Sequence, residues 1–482
     1  MSESIPHWLT KQADLAPKQS AVELEDGTKI TFLELKTKSQ SFAKKLATSG
    51  VRKGSHVGIL SNNNIHMIIA IHALSYIGAI GVLLNTRLTT EELHYQIKDA
   101  EVSHLLTSVE LLSTAERLDV PVTHSFSEID HMKERAINLQ EELQLEDYFT
   151  IIYTSGTTGF PKGVMHTYGN HWWSAIGSAL NLGLSKEDKW LAALPMFHVG
   201  GLSIYLKSVI YGMSVLLFEK FDEKQVHHAI MNRGVTMVSV VTVMVQRLLE
   251  ELGKESYPSK FRCMLLGGGP APRPLLEKAK EKEIPIFQSY GMTETSSQIV
   301  TLSPTDALEK LGSAGKPLVP AQLRIHQPDA EKVGEIYVKG PMVTKGYFKN
   351  KEATKKAFQE GWLATGDLGY VDEDGFLYVV DRRKDLIISG GENIYPSEVE
   401  SVLAGMESIK EIGVVGKEDP TWGQIPVAFV VVSNSVKQEE IKLYAKKRLA
   451  KYKVPKEIYF VEALPRNASN KLVRTKLLDL IP

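Results

Sequence analysis

The chain has one cysteine, Cys263, among 482 residues. A single cysteine excludes an intrachain disulfide and a thiolate metal cluster, and it favours a reducing, cytoplasmic compartment. Neither sign of charge is in excess, because Lys+Arg 56 against Asp+Glu 57 gives a formal net charge of −1. We therefore expect no general attraction to nucleic acid, and any anion site must be local. The first residues contain neither a basic nor an apolar segment, so no export signal is expected.

Long hydrophobic runs are absent with one exception, residues 67–84, which carry no charged side chain over 18 positions. That length is the lower limit for a membrane-spanning helix. His72, Ser75, Gly78 and Gly81 interrupt the run. We interpret it as a buried helix followed by a buried strand, and we expect no membrane span.

The length of the chain exceeds what one hydrophobic core fills, so at least two domains are expected. From Trp8 to Leu311, strands alternate with helices, which predicts doubly wound α/β sheets, and the following segments predict a small antiparallel β region. The charged run 381–385 then separates residues 1–380 from residues 386–482. We expect this run to be a hinge between a large α/β domain and a small, mobile α+β C-terminal domain, although a solvated turn is the commoner use of such a run.

The segment from Tyr153 to Gly163 has the composition of a phosphate-binding loop. It follows a β-branched and aromatic run, so it is expected to leave a buried strand. Its glycines let the backbone approach a ligand, and its hydroxyls are short donors. A Walker A loop does not fit because Pro161 and Gly163 flank the lysine, and a flexible surface turn is the alternative. The candidate phosphate ligands are Thr154, Ser155, Gly156, Thr157, Thr158, Gly159 and Lys162.

Three more clusters supply the other contacts that a nucleotide needs. Residues 288–295 follow the apolar strand 284–287, and their candidate ligands are Ser289, Tyr290, Gly291, Met292, Thr293 and Glu294. A tyrosine stacks on a base, a threonine donates to phosphate, and a glutamate is a hard ligand for Mg²⁺. Asp367 stands between glycines and suits either ribose hydroxyls or a tight turn. Lys471 lies on a polar loop that by itself indicates only surface.

In their order and over nearly the whole chain, these segments resemble the adenylate-forming superfamily of acyl-CoA synthetases, peptide-synthetase adenylation domains and luciferases. The resemblance implies a two-step reaction with ATP, Mg²⁺ and CoA, in which an acyl-adenylate forms first and a thioester second. It assigns the β- and γ-phosphates to residues 154–162, Mg²⁺ to Glu294 with Thr154, and adenine to Tyr290. It assigns the α-phosphate to Thr293, and the ribose to Asp367 and Arg382.

The same resemblance implies that Lys471 bridges the attacking carboxylate and the α-phosphate. It places the hinge at Lys384, where the superfamily more often has aspartate, and it places Gly390 and Gly391 at the CoA tunnel. His198 matches a position between the acyl pocket and that tunnel, and a positioning or gating role is expected for it. The catalytic set implied in this way is Lys471, Thr154, Glu294 and His198.

Residues 194–202, 298–304 and 464–472 further resemble the ligases that act on 2-succinylbenzoate in menaquinone biosynthesis. That acid has a second carboxylate, which must find a cation or water. Lys207 lies four residues after Ser203, on the same face of a predicted helix, and is our candidate, with a surface lysine as the alternative. A flat aromatic ring could lie against the glycine backbone. The expected acyl pocket comprises His198, Ser203, Lys207, Gly267, Gly268 and Gly269.

Two alternatives stay open at this point. One is a generic aryl-acid or medium-chain fatty-acid CoA ligase, and the other is a nucleotide-binding sensor without chemistry, which would need neither Glu294 nor Lys471. Free CoA is favoured over a carrier protein because a basic segment could meet its phosphates, although a solvated face is the alternative. That segment comprises Lys442, Lys446, Lys447, Arg448, Lys451 and Lys453. Whether the chain forms a homo-oligomer is left open.

Overall fold

The computed structural model describes residues 3–154, 161–268, 273–328, 332–381, 386–466 and 472–481. The chain divides into two compact units. Unit 1 comprises residues 1–86, 97–152 and 163–380, and unit 2 comprises residues 87–96, 153–162 and 381–482.

Within the described ranges, a six-stranded sheet lies in the N-terminal half of the chain. Its strands, in spatial order, are Lys162–Thr167, Tyr148–Thr154, Ile80–Leu84, His56–Leu60, His104–Thr107 and Val122–Ser125. The pairs formed by the last five strands are parallel. A short antiparallel pair, Ser4–Pro6 with Glu142–Gln144, stands apart from this sheet. Parallel strands joined by helices are typical of doubly wound α/β folds, as the alternating pattern predicted.

A larger sheet runs from parallel to antiparallel pairing. Its strands, in spatial order, are Gln322–His326, Gly334–Lys339, Trp362–Val371, Leu377–Asp381, Ser313–Pro317, Ser297–Leu302, Ile286–Met292, Cys263–Gly267, Met237–Val241, Lys189–Ala192, Ser214–Leu217, Ser20–Glu23 and Lys29–Thr31. Phe358–Gln359 pairs with Trp362–Val371. Pairing changes from parallel to antiparallel at strand Ile286–Met292. The antiparallel β region predicted after Leu311 is therefore continuous with the parallel sheet.

Helices connect many of these strands, and most of them bury apolar residues. They are Trp8–Leu15, Phe32–Thr48, Ile65–Ile77, Leu112–Ala115, Phe126–His131, Tyr168–Leu182, Val199–Tyr211, Glu223–Asn232, Thr242–Leu252, Arg273–Glu281 and Lys351–Ala357, and Thr90–Asp99 begins in unit 2. Single 3₁₀ turns occur at Val109–Leu111 and Thr293–Thr295. Helix Ile65–Ile77 and strand Ile80–Leu84 confirm the interpretation of the uncharged run, and nearly all of their residues are buried. Among the described residues, no helix is both long and apolar enough to cross a bilayer.

Unit 2 contains a separate sheet with its own hydrophobic core. The strands are Glu392–Ile394, Ile387–Ser389, Gly423–Val432 and Ile409–Asp419, with Glu457–Phe460 paired to Gly423–Val432. The helices Pro396–Ala404 and Gln438–Lys446 and the 3₁₀ turns Arg474–Lys476 and Leu478–Leu480 complete it. The prediction of a large α/β region followed by a small α+β region is confirmed.

Lys453 belongs neither to a basic segment that meets the phosphates of CoA, as the sequence indicated, nor to the solvated face that was the alternative. Its side chain is 4% exposed, and its Nζ lies 2.7 Å from Glu398 Oε1 and 2.7 Å from Glu92 Oε1, both within unit 2. Burial opposes the charge on Lys453, yet these carboxylates hold its pKa above the ordinary value. An ammonium that is committed to two buried carboxylates is not available to the phosphates of a ligand. The expectation for this one lysine was wrong.

Replacing Lys453 with methionine should destabilise unit 2 by about 3–5 kcal/mol, because Glu398 would remain buried without its cation. Urea or thermal unfolding followed by circular dichroism measures the change. Lys451→Met is the matched control, since Lys451 is exposed, and it should shift stability by less than about 0.5 kcal/mol. Equal effects of the two substitutions would contradict a structural role for the buried ion pair.

Candidate active site

Tyr290 and Asp367, predicted to contact adenine and ribose, meet in unit 1. The Tyr290 hydroxyl donates to Asp367 Oδ2 at 2.8 Å, and both side chains are buried. Asp367 lies within strand Trp362–Val371 rather than in a tight turn, and its backbone N–H donates to Thr365 Oγ1 at 3.1 Å. Two segments separated by 77 positions are thereby joined by one hydrogen bond, which orients the carboxylate.

The segment 288–295 does not leave its strand where the sequence indicated. Strand Ile286–Met292 continues through Tyr290 and Gly291, with a bulge between them, and the turn begins only at Thr293. A side chain at Gly291 would place its Cβ 2.1 Å from Ser297 O, so only glycine fits there. Ser289 is half-buried and donates through Oγ to Leu266 O at 3.0 Å. The bulge changes the direction of the chain just before Thr293 and Glu294.

Glu294 is held in place by two contacts. Its Oε1 accepts from the Tyr347 hydroxyl at 2.9 Å, and its backbone carbonyl accepts from Thr344 N–H at 2.8 Å. The carboxylate is buried, and its Oε2 has no hydrogen-bond partner among the residues that the structure describes. A buried carboxylate with one uncommitted oxygen fits a ligand for Mg²⁺, which is usually bound through one or two carboxylates and the phosphates of the substrate. In the described ranges, no group of three or more acidic, histidine or cysteine side chains is arranged to hold a metal ion.

The phosphate-loop prediction is only partly covered by the structure. Thr154 is half-buried and ends strand Tyr148–Thr154, and Lys162 is half-buried and begins strand Lys162–Thr167.

In unit 2, Gly390 has φ 58° and donates its N–H to Trp422 O at 2.8 Å, and Gly391 has φ 87°, backbone conformations that favour glycine. The predicted residues Ser155, Gly156, Thr157, Thr158, Gly159, Gly269, Arg382, Lys384 and Lys471 lie outside the described residues.

The predicted acyl-pocket residues of unit 1 belong to one helix and one strand end. His198 precedes helix Val199–Tyr211, is half-buried, and has its ring 4.8 Å from that of Phe197 in an edge-on arrangement. Ser203 is buried in the same helix and donates to Gly200 O at 3.1 Å. Gly267 ends strand Cys263–Gly267, and Gly268 follows it with φ 84°. These positions remain predictions for the acid site.

Lys207 is a core residue and not a surface lysine. It is 2% exposed, and its Nζ lies 5.7 Å from the centroid of the Trp190 ring. Its ammonium has no hydrogen bond or ion pair with any described residue. Burial lowers the pKa of Lys207 to about 8. Burying an ammonium without an anion is unfavourable, and Lys207 therefore remains a candidate for the second carboxylate of the acid.

Sequence reasoning missed a buried group of polar residues beside these elements. Thr150, His166 and His171 lie at most 3% exposed, and the His166 ring reaches the backbone of Thr293. The available signal was weak: Thr150 stands within an apolar run, but its position does not reveal which side chains it meets.

The chain belongs to the family of AMP-binding enzymes. The model of that family, described as AMP-binding enzyme, matches residues 9–348, and the model of its C-terminal domain matches residues 398–471. The resemblance to adenylate-forming enzymes that the motifs indicated is thereby confirmed.

Within that family, the chain is similar over its full length to ligases of one acid. A 2-succinylbenzoate–CoA ligase of Oceanobacillus iheyensis is 58% identical, with 99% of this chain and 100% of the relative covered. A double mutant of o-succinylbenzoate CoA synthetase (MenE) of Bacillus subtilis, bound with its product analogue OSB-NCoA, is 49% identical with a TM-score of 0.95, and 99% of each chain is covered. The same enzyme in complex with ATP and magnesium ion is 48% identical with a TM-score of 0.77, covering 99% of this chain and 100% of the other.

We expect Glu294→Gln to raise the free Mg²⁺ concentration that gives half-maximal acyl-adenylate formation by at least about tenfold. Even residues that only orient a metal ligand typically cost that much metal affinity when they are replaced. Glutamine keeps the acceptor for Tyr347 but removes the charge. The measurement is ATP–pyrophosphate exchange titrated with Mg²⁺. Tyr347→Phe is the control, for which a smaller shift is expected because it only orients the carboxylate. An unchanged Mg²⁺ dependence in Glu294→Gln would remove Glu294 from the metal site.

Proposed function

We propose that this chain is an AMP-forming acid–thiol ligase that converts 2-succinylbenzoate, ATP and CoA into 2-succinylbenzoyl-CoA, with Mg²⁺. Full-length relatives with 58% and 56% identity are named for this activity. The observation in the structure that supports the acid is Lys207, a buried ammonium with no anionic partner among the described residues. A dicarboxylic acid supplies one carboxylate for activation and a second for this cation. The product would serve menaquinone biosynthesis, and we expect the enzyme to act in the cytoplasm.

In the first step, a carboxylate oxygen of the acid attacks the α-phosphorus of ATP. A new O–P bond forms, the bond to the β-phosphate oxygen breaks, and pyrophosphate leaves. The attack brings an anion against a polyanion, so oriented donors and positive charge must act at the transition state. Bound Mg²⁺ supplies part of that charge, and Glu294 would hold it. The resemblance assigns the α-phosphate to Thr293, one residue earlier, and Lys471 is the predicted cation between the two reactants.

In the second step, the CoA thiol releases its proton to solvent and its sulfur forms a bond to the acyl carbonyl carbon. The bond from that carbon to the phosphate oxygen breaks, and AMP leaves. The resemblance assigns Gly390 and Gly391 to the thiol tunnel, and residues 381–385 with Lys384 to a hinge that lets two half-reactions share one site. The left-handed φ values of both glycines support a backbone that could lie close to a narrow ligand. The hinge and the domain limits remain predictions.

The proposal is tested by measuring kcat/KM for thioester and AMP formation with 2-succinylbenzoate, benzoate and octanoate. We expect 2-succinylbenzoate to be preferred, because neither monoacid offers an anion to Lys207. A preference for benzoate or octanoate would replace the proposed substrate by an aryl-acid or medium-chain acid. Failure to release AMP with any acid would instead indicate a nucleotide-binding protein without ligase chemistry.

Lys207→Met should raise KM for 2-succinylbenzoate by about thirtyfold or more, as expected when one partner of a buried charge pair, worth about 2 kcal/mol, is removed. KM for ATP should stay nearly constant. The melting temperature should stay equal or rise, because an uncompensated buried ammonium is removed without leaving a large cavity. Steady-state kinetics and calorimetry check these outcomes. An unchanged KM for the acid would exclude Lys207 from the site.

The pH dependence of kcat/KM gives a second test of Lys207, and Lys207→Arg, which keeps the positive charge, is its matched control. Because the pKa of Lys207 is lowered to about 8, the ammonium is present below that pH and is lost above it. We therefore expect kcat/KM for 2-succinylbenzoate to fall as pH rises through about 8. Lys207→Arg, which stays protonated, should remove this fall. A fall of the same size in the arginine variant would assign it to another group.

A further inference from the structure

A chain of buried polar side chains in unit 1 ends on the turn that carries Thr293 and Glu294. His171 Nε2 lies 2.9 Å from Thr150 Oγ1, which lies 3.4 Å from His166 Nδ1, and His166 Nε2 lies 2.7 Å from Thr293 O. The three side chains come from strand Tyr148–Thr154, strand Lys162–Thr167 and helix Tyr168–Leu182. Buried polar groups of this kind require complete pairing, which makes their geometry specific.

The direction of every hydrogen bond in this chain follows from its last acceptor. A carbonyl only accepts, so His166 Nε2 carries the proton and donates to Thr293 O. Burial lowers the pKa of His166 to about 4, so the ring is neutral and its Nδ1 is an acceptor. The Thr150 hydroxyl then donates to Nδ1, and its oxygen accepts from His171 Nε2–H. Any other assignment would bring two lone pairs together.

The surroundings keep both imidazole rings of this hydrogen-bonded chain neutral. His171 is fully buried, and burial, followed by the nearby His166 and Lys207, lowers its pKa well below the ordinary value. The His166 and His171 rings lie 5.2 Å apart, and Phe149 packs edge-on against His171 at 5.9 Å. Because neither imidazole gains a proton near neutral pH, the donors and acceptors do not exchange roles.

The acceptor of the chain is the carbonyl that closes the 3₁₀ turn. Thr293 O accepts from Ser296 N–H at 3.1 Å and from His166 Nε2 at 2.7 Å, so both of its lone pairs are used. On the other side of the turn, Thr344 N–H binds the Glu294 carbonyl and the Tyr347 hydroxyl binds its carboxylate. The turn is therefore fixed from two sides, and His166 provides the side next to Thr293.

The strand that carries His166 is tied to the same support. Met165 N–H donates to Gly346 O at 3.1 Å, and Val164 forms a bridge with Tyr347. Because Tyr347 also orients Glu294, a displacement of His166 would alter both the contact to Thr293 and the contact to Glu294. A turn of three residues has little internal stabilisation, and its geometry depends on such neighbours.

We propose that His166, oriented by Thr150 and His171, is a positioning residue that holds the Thr293–Glu294 turn in the geometry needed for α-phosphate and Mg²⁺ contacts during adenylate formation. This inference rests on the proposed function. His166 touches the backbone of the turn and no reacting atom, so it acts through Thr293 and Glu294. In this proposal, Thr150, His166 and His171 support residues that the motifs assign to ATP and do not themselves contact ATP.

The test compares His166→Leu with His166→Gln in the full-length protein. Leucine fills a similar volume without a donor, whereas the glutamine amide could donate to Thr293 O and accept from Thr150. We expect His166→Leu to raise the half-saturating Mg²⁺ concentration in pyrophosphate exchange about tenfold, as the loss of one buried hydrogen bond allows. KM for 2-succinylbenzoate should change less than about twofold, and His166→Gln should restore the wild-type Mg²⁺ dependence to within about threefold.

A purely structural role gives a different result. Partial unfolding would reduce the number of active molecules and lower kcat alone, leaving the half-saturating Mg²⁺ concentration in place. That outcome, or a glutamine variant no better than leucine, would overturn the proposal. Wild-type protein that forms no adenylate from 2-succinylbenzoate would instead contradict the proposed function.

A spectroscopic measurement is independent of whether the leucine variant folds. In wild-type protein labelled with ¹⁵N-histidine, with His166→Gln and His171→Gln used for assignment, both rings should be neutral Nε2–H tautomers between about pH 6 and 8. An Nδ1–H tautomer at His166, or protonation of its ring in that range, would break the deduced chain and overturn the proposal.

Discussion

Burial of charge without a counter-charge is the constraint on which the candidate site depends. In unit 1, the Glu294 carboxylate and the Lys207 ammonium are both buried, and neither forms an ion pair with a described residue. A protein interior makes such groups unfavourable unless something else neutralises them. Mg²⁺ with phosphates suits the first group and a second carboxylate of the acid suits the second. In the function that we propose, the substrates complete an electrostatic balance that the described residues leave open.

Lys453 shows the contrast within the same molecule. It is buried to a similar degree, yet Glu398 and Glu92 lie 2.7 Å from its Nζ. That lysine is fully compensated by the protein and has a structural role in unit 2. Burial of a cation is therefore not by itself a sign of a binding site. What distinguishes Lys207 is burial combined with the lack of an anion among the described residues.

Much of the fold and part of the site could be predicted from the sequence. Apolar runs bounded by glycine located the strands and the buried helix Ile65–Ile77, because local periodicity reflects burial directly. Two of the predicted nucleotide residues, Tyr290 and Asp367, do meet. Strand Ile286–Met292 extends further than expected, because its bulge depends on pairing with Ser297–Leu302. Lys453 was misassigned, because neighbouring lysines in sequence look alike until their partners are known. Thr150, His166 and His171 were not singled out either, because the contacts among them form only in the folded chain.

The amino-acid sequence by itself determined the alternation of strands and helices, the order of the nucleotide motifs and hence the family of adenylate-forming enzymes. These properties depend on local composition and on ordered spacing, which are readable without coordinates. Only the tertiary structure decided that Tyr290 binds Asp367, that Lys207 is buried without an anion among the described residues, and that His166 supports Thr293. Each of these relations joins residues that are distant in the chain, and such contacts form only when separate elements pack into one core.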